Sequence, residues 1–303
     1  MNKKPLIIDT DFTKDDIIAI KLLADSDKYD IKAITCYGEW FVETVQLRNS
    51  MGLDCPVCWG AMKPLFRPEI SENVYGNTSP DTTEKVRIEE KDEQYPWDTI
   101  YSTALEADGE LEIVTLGPVT NIALTLLRYP QIKPMIKRIF CFAGSGYSGN
   151  VAPYSEYNAY ADPDALKIVF DSGVDIVMCG LDITMKSYTT MEDILRLKAT
   201  DTKAGDFCAE AFGVYYDRYV NNSRLPGCAV HDAVAVTYLL HPEWIESKRG
   251  NVKVDIDGGE TYGQTVCDFR PNRNRHLDNA TVCLDIDREK FVDLLVKACE
   301  SYK

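Results

Sequence analysis

Along this chain, short apolar or β-branched runs alternate with longer stretches of helical periodicity, the pattern of βα units around a mostly parallel sheet. Residues 5–8 read as a strand and 15–24 as a helix, and 31–35 with 43–51 repeat the pair. Residues 111–115, 138–142 and 175–178 predict further buried strands, each followed by turn residues and a helical stretch. Later, 233–240 read as a buried helix, 252–256 and 281–285 as strands, and 288–301 as a closing helix. Between Lys63 and Trp97 the periodicity fails and Pro, Ser, Thr, Asn and charged residues dominate. Residues 63–97 therefore form an excursion from the sheet, which fits a lid over a site and a surface insertion equally. No linker, composition break or internal repeat divides the rest. We expect one α/β domain over residues 1–303, its mostly parallel central sheet flanked by helices.

Composition narrows the classes. With 303 residues, 45% of them hydrophobic, the chain can bury a full core, yet no apolar run is long enough to cross a bilayer. Residues 6–8 lead straight into aspartates instead of a signal-peptide apolar region, so the cytoplasm is the expected location and a membrane is not an expected partner. A formal charge of −15 opposes a phosphate backbone and argues against nucleic acid. Ten cysteines scattered through the predicted strands and helices read as reduced packing residues. Cys55 and Cys58 have C-x-x-C spacing but lack the second pair or nearby histidine of a zinc site.

The strongest chemical signal is Asp9-Thr10-Asp11-Phe12-Thr13-Lys14-Asp15-Asp16, four carboxylates at the end of the first predicted strand. In open α/β sheets ligands bind beyond the carboxyl ends of the strands. Asp15 and Asp16 also stand where a helix begins, so capping and the helix dipole account for two acids but not four. A bound cation would relieve the repulsion, and oxygen donors without cysteine or paired histidine suit calcium or magnesium, calcium if neutral carbonyls complete the shell. Far along the chain, His231-Asp232 precedes the buried helix. Asp232 could cap that helix or close the metal shell; His231 could be structural or a proton donor. His241 precedes Pro242 and His276 lies in a basic loop, which leaves His231 as the candidate acid. Asn150, Glu156 and Asn158 form a third polar element, suited to vicinal sugar hydroxyls or to ordinary turn chemistry. No G-x-G-x-x-G follows the first strand, which argues against a dinucleotide binder.

Together these residues resemble the inosine-uridine nucleoside hydrolase family. Its D-x-D-P-G-x-D-D opening is matched by Asp9, Asp11, Asp15 and Asp16, and its L-G-P-x-T-N turn by Leu116 to Asn121. Gly149-Asn150 and Glu156-Tyr157-Asn158 to Ala165 match G-N and E-[FY]-N-x-x-x-D-P-x-A; His231-Asp232 and Gly263-Gln264-Thr265-Val266 with Asp268 complete the order. The resemblance implies a Rossmann-like topology and a calcium ion held by Asp11, Asp16, Asp232 and the Leu116 carbonyl. It further implies that Asp11 takes the proton of a water attacking the anomeric carbon, that Asp15, Asn150, Glu156 and Asn158 bind the ribose, and that His231 protonates the leaving base. The expected partner is a nucleoside or related riboside, and the expected assembly a homo-oligomer, dimer or tetramer.

The departures lie around that shell. Phe12-Thr13 replaces Pro-Gly, which predicts a bulky ring near the pocket floor, and Glu39 replaces a family asparagine after Gly38, making it a candidate substrate contact. Tyr75-Gly76 stands for His-Gly and Thr184-Met185 for Thr-His. Trp40, Tyr75, Tyr147 and Tyr154 are candidates to stack on a base, against the more ordinary reading as core. We therefore expect hydrolysis of ribonucleosides with shifted specificity; a hydrolase of another ribosylated metabolite, or a ribose-binding protein without turnover, are the alternatives.

Overall fold

The structure, a computed structural model, describes residues 3–67, 88–221, 224–271 and 274–301. Among these a nine-stranded sheet forms the centre. Its strands are β1 (Lys4–Thr10), β2 (Tyr29–Cys36), β3 (Val57–Trp59), β4 (Leu111–Thr115), β5 (Ile136–Cys141), β6 (Ile176–Met178), then, beyond the short β7 (Tyr188–Thr189) and β8 (Cys228–Ala229), β9 (Ile245–Val254), β10 (Thr265–Asp268) and β11 (Ala280–Ile286). The order is β10-β9-β11-β6-β5-β4-β1-β2-β3, and every pair from β11 to β3 is parallel while β9 runs antiparallel to both neighbours. The apolar runs of the inner strands need this arrangement, since helices cover both faces of a parallel sheet. Leu6, Ile8, Val114 and Phe140 pack into one core layer, and the intervening Ile7, Ile113 and Ile139 into the other.

The first layer is completed by α1 (Lys14–Ala24), α2 (Phe41–Ser50), α8 (Met191–Lys198), α9 (Lys203–Asn221), α10 (Asp232–Leu240) and α11 (Arg288–Glu300). The second is completed by α3 (Pro96–Ala107), α4 (Thr120–Arg128), α5 (Tyr157–Ala161) and α6 (Pro163–Phe170); α7 (Leu181–Thr184) follows β6. The expected strands and helices are found with shifted ends. The segment read as a short strand over 252–256 is the end of the long antiparallel β9, and the pattern reading assigned nothing to α9, whose apolar positions are diluted by Gly205, Gly213 and charged residues.

The chain leaves β1 toward β2 on one side and returns through β4 on the other, so a crevice opens between the ends of β1 and β4, where such sheets bind ligands. Of the 63–97 excursion, residues 68–87, including Tyr75, lie outside the described residues. Its later end is anchored by a buried ion pair. Arg48 Nη1 and Nη2 donate to Asp92 Oδ1 and Oδ2 at 3.0 and 3.1 Å, and Asp92 Oδ1 also accepts from Val57 N at 2.9 Å. Cys55 and Cys58 are free and buried there, with thiols pushed up to about 11 and about 12 by burial.

Candidate active site

The acidic segment leaves β1 into the crevice and splits into two roles. Asp9 is fully buried under the crevice; its Oδ1 accepts from Thr35 Oγ1 at 2.5 Å and Asn121 Nδ2 at 2.8 Å. Burial raises its pKa to about 7. Asn121 also donates to Cys36 O at 2.9 Å and accepts from Ala61 N at 2.8 Å, so the last residue of the L-G-P-V-T-N turn joins the ends of β1 and β2 to the chain beyond β3. In the same turn Gly117 lets Asp11 fit: a Cβ there would stand 2.8 Å from Asp11 Cβ and Cγ.

Asp11, Asp15 and Asp232 line one cavity with Leu116, Asn150, Glu156, Asn158 and His231. Asp16 lies just beneath, as the third residue of α1. Its Oδ2 accepts from Thr13 N at 2.7 Å in a capping box, and its Oδ1 accepts from Thr10 Oγ1. Asp232 opens α10 and meets these acids from the far end of the chain. Asp15 Oδ2 accepts the backbone N–H of His231 at 3.0 Å and of Asp232 at 3.4 Å. Ligand oxygens of Asp15, Asp16 and Asp232 lie within 4.8 Å of one another. Burial first, then the neighbouring acids, raises the pKa of Asp11 and Asp232 well above the carboxylate range and that of Asp16 to about 6.

These acids fit a hard cation. Asp11 Oδ1 and Asp232 Oδ1 are buried with no hydrogen-bond partner, the condition a metal ion relieves. The Thr13 hydroxyl lies 2.8 Å from Asp15 Oδ1, 2.5 Å from Asp16 Oδ2 and 3.1 Å from Asp232 Oδ2. A hydroxyl has one proton and serves one of the three, so the remaining contacts call for a cation or for a proton on one of the acids.

The polar triplet sits opposite. Glu156 caps α5, its Oε1 accepting from Asn158 N at 2.9 Å and its Oε2 from Gly144 N at 2.8 Å and Ala159 N at 3.1 Å. Burial raises it to about 7 against the pull of those amides. Asn158 Nδ2 is committed to Leu116 O at 2.9 Å and Phe142 O at 3.0 Å, which fixes the Leu116 carbonyl beside the acids. Asn150 is exposed at the rim and accepts from Tyr157 N at 3.0 Å. The Gly263 to Val266 motif is scaffolding: Thr265 Oγ1 accepts from Ser145 N at 2.8 Å, bracing the turn at Gly144 that Glu156 also holds.

His231 is buried and stacks on Phe142 with ring centroids 5.2 Å apart. Its Nδ1 meets Thr184 Oγ1 at 2.8 Å and its Nε2 the Tyr219 hydroxyl at 2.6 Å. Burial lowers its pKa, opposed by Asp15. Tyr219 comes from α9, which turns Phe212, Tyr215, Arg218 and Tyr219 toward the cavity at helical spacing. Sequence reading missed this wall. A period of three and four in aromatic residues at 212, 215 and 219 was the available signal.

Several expected contacts are not in the cavity. Glu39 follows Gly38, whose φ of +79° turns the chain outward, and its side chain is exposed. Phe12 takes a φ of +58° and stacks on Trp40 at 6.2 Å instead of lining the floor; a proline, fixed near −65°, could not adopt that conformation. Tyr147 and Tyr154 are exposed and do not line the cavity.

Comparison with known proteins gives the family and the fold. The pattern of the family described as inosine-uridine preferring nucleoside hydrolase matches residues 6–293. A pyrimidine-specific ribonucleoside hydrolase RihB from Escherichia coli (strain SE11) is 30% identical, covering 100% of this chain and 99% of the relative. Among solved structures, the plant nucleoside hydrolase PpNRh1 superposes with a TM-score of 0.86 at 26% identity, covering 99% of this chain and 100% of that one. A purine-preferring ribonucleoside hydrolase from Gardnerella vaginalis gives the same score and identity over 98% of each chain.

Proposed function

Since this chain belongs to the inosine-uridine preferring nucleoside hydrolase family and is an N-glycosidase acting on ribonucleosides, we propose that it works with a calcium ion held by Asp11, Asp16, Asp232 and the Leu116 carbonyl. The observation that carries this reading is that Asp232 meets the N-terminal acids: its ligand oxygen lies within 4.8 Å of those of Asp15 and Asp16, and Asp11 and Asp232 each bury an oxygen without a partner. Asp15 and Asp16 each already accept hydrogen bonds on both oxygens, so the choice of Asp16 over Asp15 as a ligand rests on the family resemblance. An all-oxygen donor set that includes a neutral carbonyl favours calcium. When bound, the ion neutralises the clustered carboxylates and acidifies a water molecule.

The chain's own groups do the rest. Asp11, which lines the cavity with an Oδ1 that has no hydrogen-bond partner, accepts a proton from the water that attacks the anomeric carbon. Asp15 and Glu156 accept from ribose hydroxyls, and Asn158 offers its Oδ1 while its nitrogen keeps the Leu116 carbonyl in place. These acceptors favour the positive charge that spreads over the sugar ring as the C1′–N bond breaks. His231 Nε2 and the Tyr219 hydroxyl lie 2.6 Å apart, and the pair supplies the proton that the departing base nitrogen takes up with the C1′–N electron pair, then regains one from solvent.

The relatives' names differ in base, one pyrimidine-specific and one purine-preferring, so base choice is not carried over. Free ribose released from inosine, guanosine, adenosine, uridine and cytidine tests the reading. We expect release from at least one of them, lost in chelator, restored by calcium and abolished by Asp232→Ala. Turnover that survives chelation, or no release from any riboside with calcium present, would overturn it.

A further inference from the structure

Resting on that reading, we propose that Lys14 and Arg218 form a cationic clamp at the leaving-group side of the cavity and select ribosides whose base is anionic at neutral pH. The cavity carries charges of both signs: Asp11, Asp15, Glu156 and Asp232 line it together with Lys14 of α1 and Arg218 of α9. Lys14, the first residue of α1, lies with Nζ 5.8 Å from the centre of the Tyr215 ring. Arg218 stands three residues beyond Tyr215 and therefore on the same helix face. Burial and Asp15 make the Tyr215 phenol harder to ionise and Arg218 opposes them, which puts charges of both signs around one ring.

Charges of both signs suit the electron flow of the reaction. As the C1′–N bond breaks its electron pair moves to the base nitrogen, while the water oxygen bonds to C1′ and gives its proton to Asp11. Positive charge grows on the sugar, where acids favour it, and negative charge grows on the base, where cations favour it. A neutral base needs only the proton from the His231–Tyr219 pair. A base already carrying a negative charge would be repelled by the four acids unless cations faced it, and Lys14 and Arg218 supply that opposition. Lys14 occupies the unspecified position of the D-x-D-P-G-x-D-D pattern, so this charge belongs to this chain's own sequence.

Two matched pairs test the clamp: xanthosine, whose base is anionic at neutral pH, against inosine, and 5-carboxyuridine against uridine. We expect the calcium-loaded enzyme to favour the anionic member of each pair in kcat/KM, and Lys14→Met or Arg218→Met to lower that ratio about tenfold. Calorimetry with free 5-carboxyuracil, a carboxylate at neutral pH, and uracil should give the same ordering in binding, lost in both variants. Ribose release with a ratio that favours the neutral member, or that neither variant changes, would overturn the clamp and leave the hydrolase standing. Absence of ribose release, with 5-carboxyuracil binding that still depends on both residues, would overturn the hydrolase reading and uphold the clamp. Absence of release together with equal binding of both bases would overturn the two together.

Discussion

Asp11 depends on the absence of a single carbon atom in the opposing turn. With Gly117 replaced by alanine, the new Cβ would stand 2.8 Å from the Asp11 side chain and 3.1 Å from the Asp11 backbone nitrogen, so the side chain cannot yield by rotation alone. We expect Gly117→Ala to cost about 1–3 kcal/mol in stability and to lower turnover more than substrate affinity, as steady-state kinetics beside a melting curve would reveal. Equal kinetics in the variant would mean that Asp11 tolerates displacement. At this scale the acids were legible because four of them crowd one short segment and their bland explanation covers only two. Glu39 misled because a departure from a motif says that a residue differs, not where it points; the left-handed turn at Gly38 sends it to solvent. Lys14, Arg218 and Tyr219 were invisible as site residues, since charged and aromatic residues on a helix reveal their facing partners only after packing.

Elements bring these residues together from distant sequence. Parallel strands were readable from their apolar runs, and their carboxyl ends put the acidic segment at the crevice. The partner of a strand is not written in its periodicity, however, which is why β9 emerged as a long antiparallel neighbour of β10 and β11 instead of one more short parallel strand. The excursion after β3 is tied back by Arg48 and Asp92, both buried and held by two hydrogen bonds to each other. Removing one member leaves an uncompensated charge in the interior, so Asp92→Ala should destabilise the protein by about 3–5 kcal/mol. A denaturant midpoint that moves by a small fraction of this would show that Arg48 finds another acceptor. Any change in activity should accompany the loss of stability, because neither residue lines the cavity.

For the molecule as a whole, the buried acids set a pH dependence. Asp9 and Glu156 have folded pKa values of about 7 and Asp16 of about 6, all raised chiefly by burial. In the window between their ordinary values and these, the folded chain holds protons that the unfolded chain has released, so stability falls as pH rises. Surface acids held low by lysines, such as Glu110 beside Lys137, change their share below that window and do not offset it. In chelator, Tm should therefore decline from about pH 5 through about pH 7, less steeply than these acids alone would give because His231, held low by burial, acts in the opposite sense, and calcium should flatten the decline. A Tm that climbs over this range in chelator would contradict the burial of these groups. The molecule also separates its tasks. On the proposed mechanism, bond breaking falls to loops at strand ends that depend on one another through Asn121, Gly117 and Glu156, whereas much of the opposite cavity lining comes from one amphipathic rod, α9. A lineage could therefore redraw what it consumes by exchanging side chains along a single helix, and inherit its cleavage apparatus untouched.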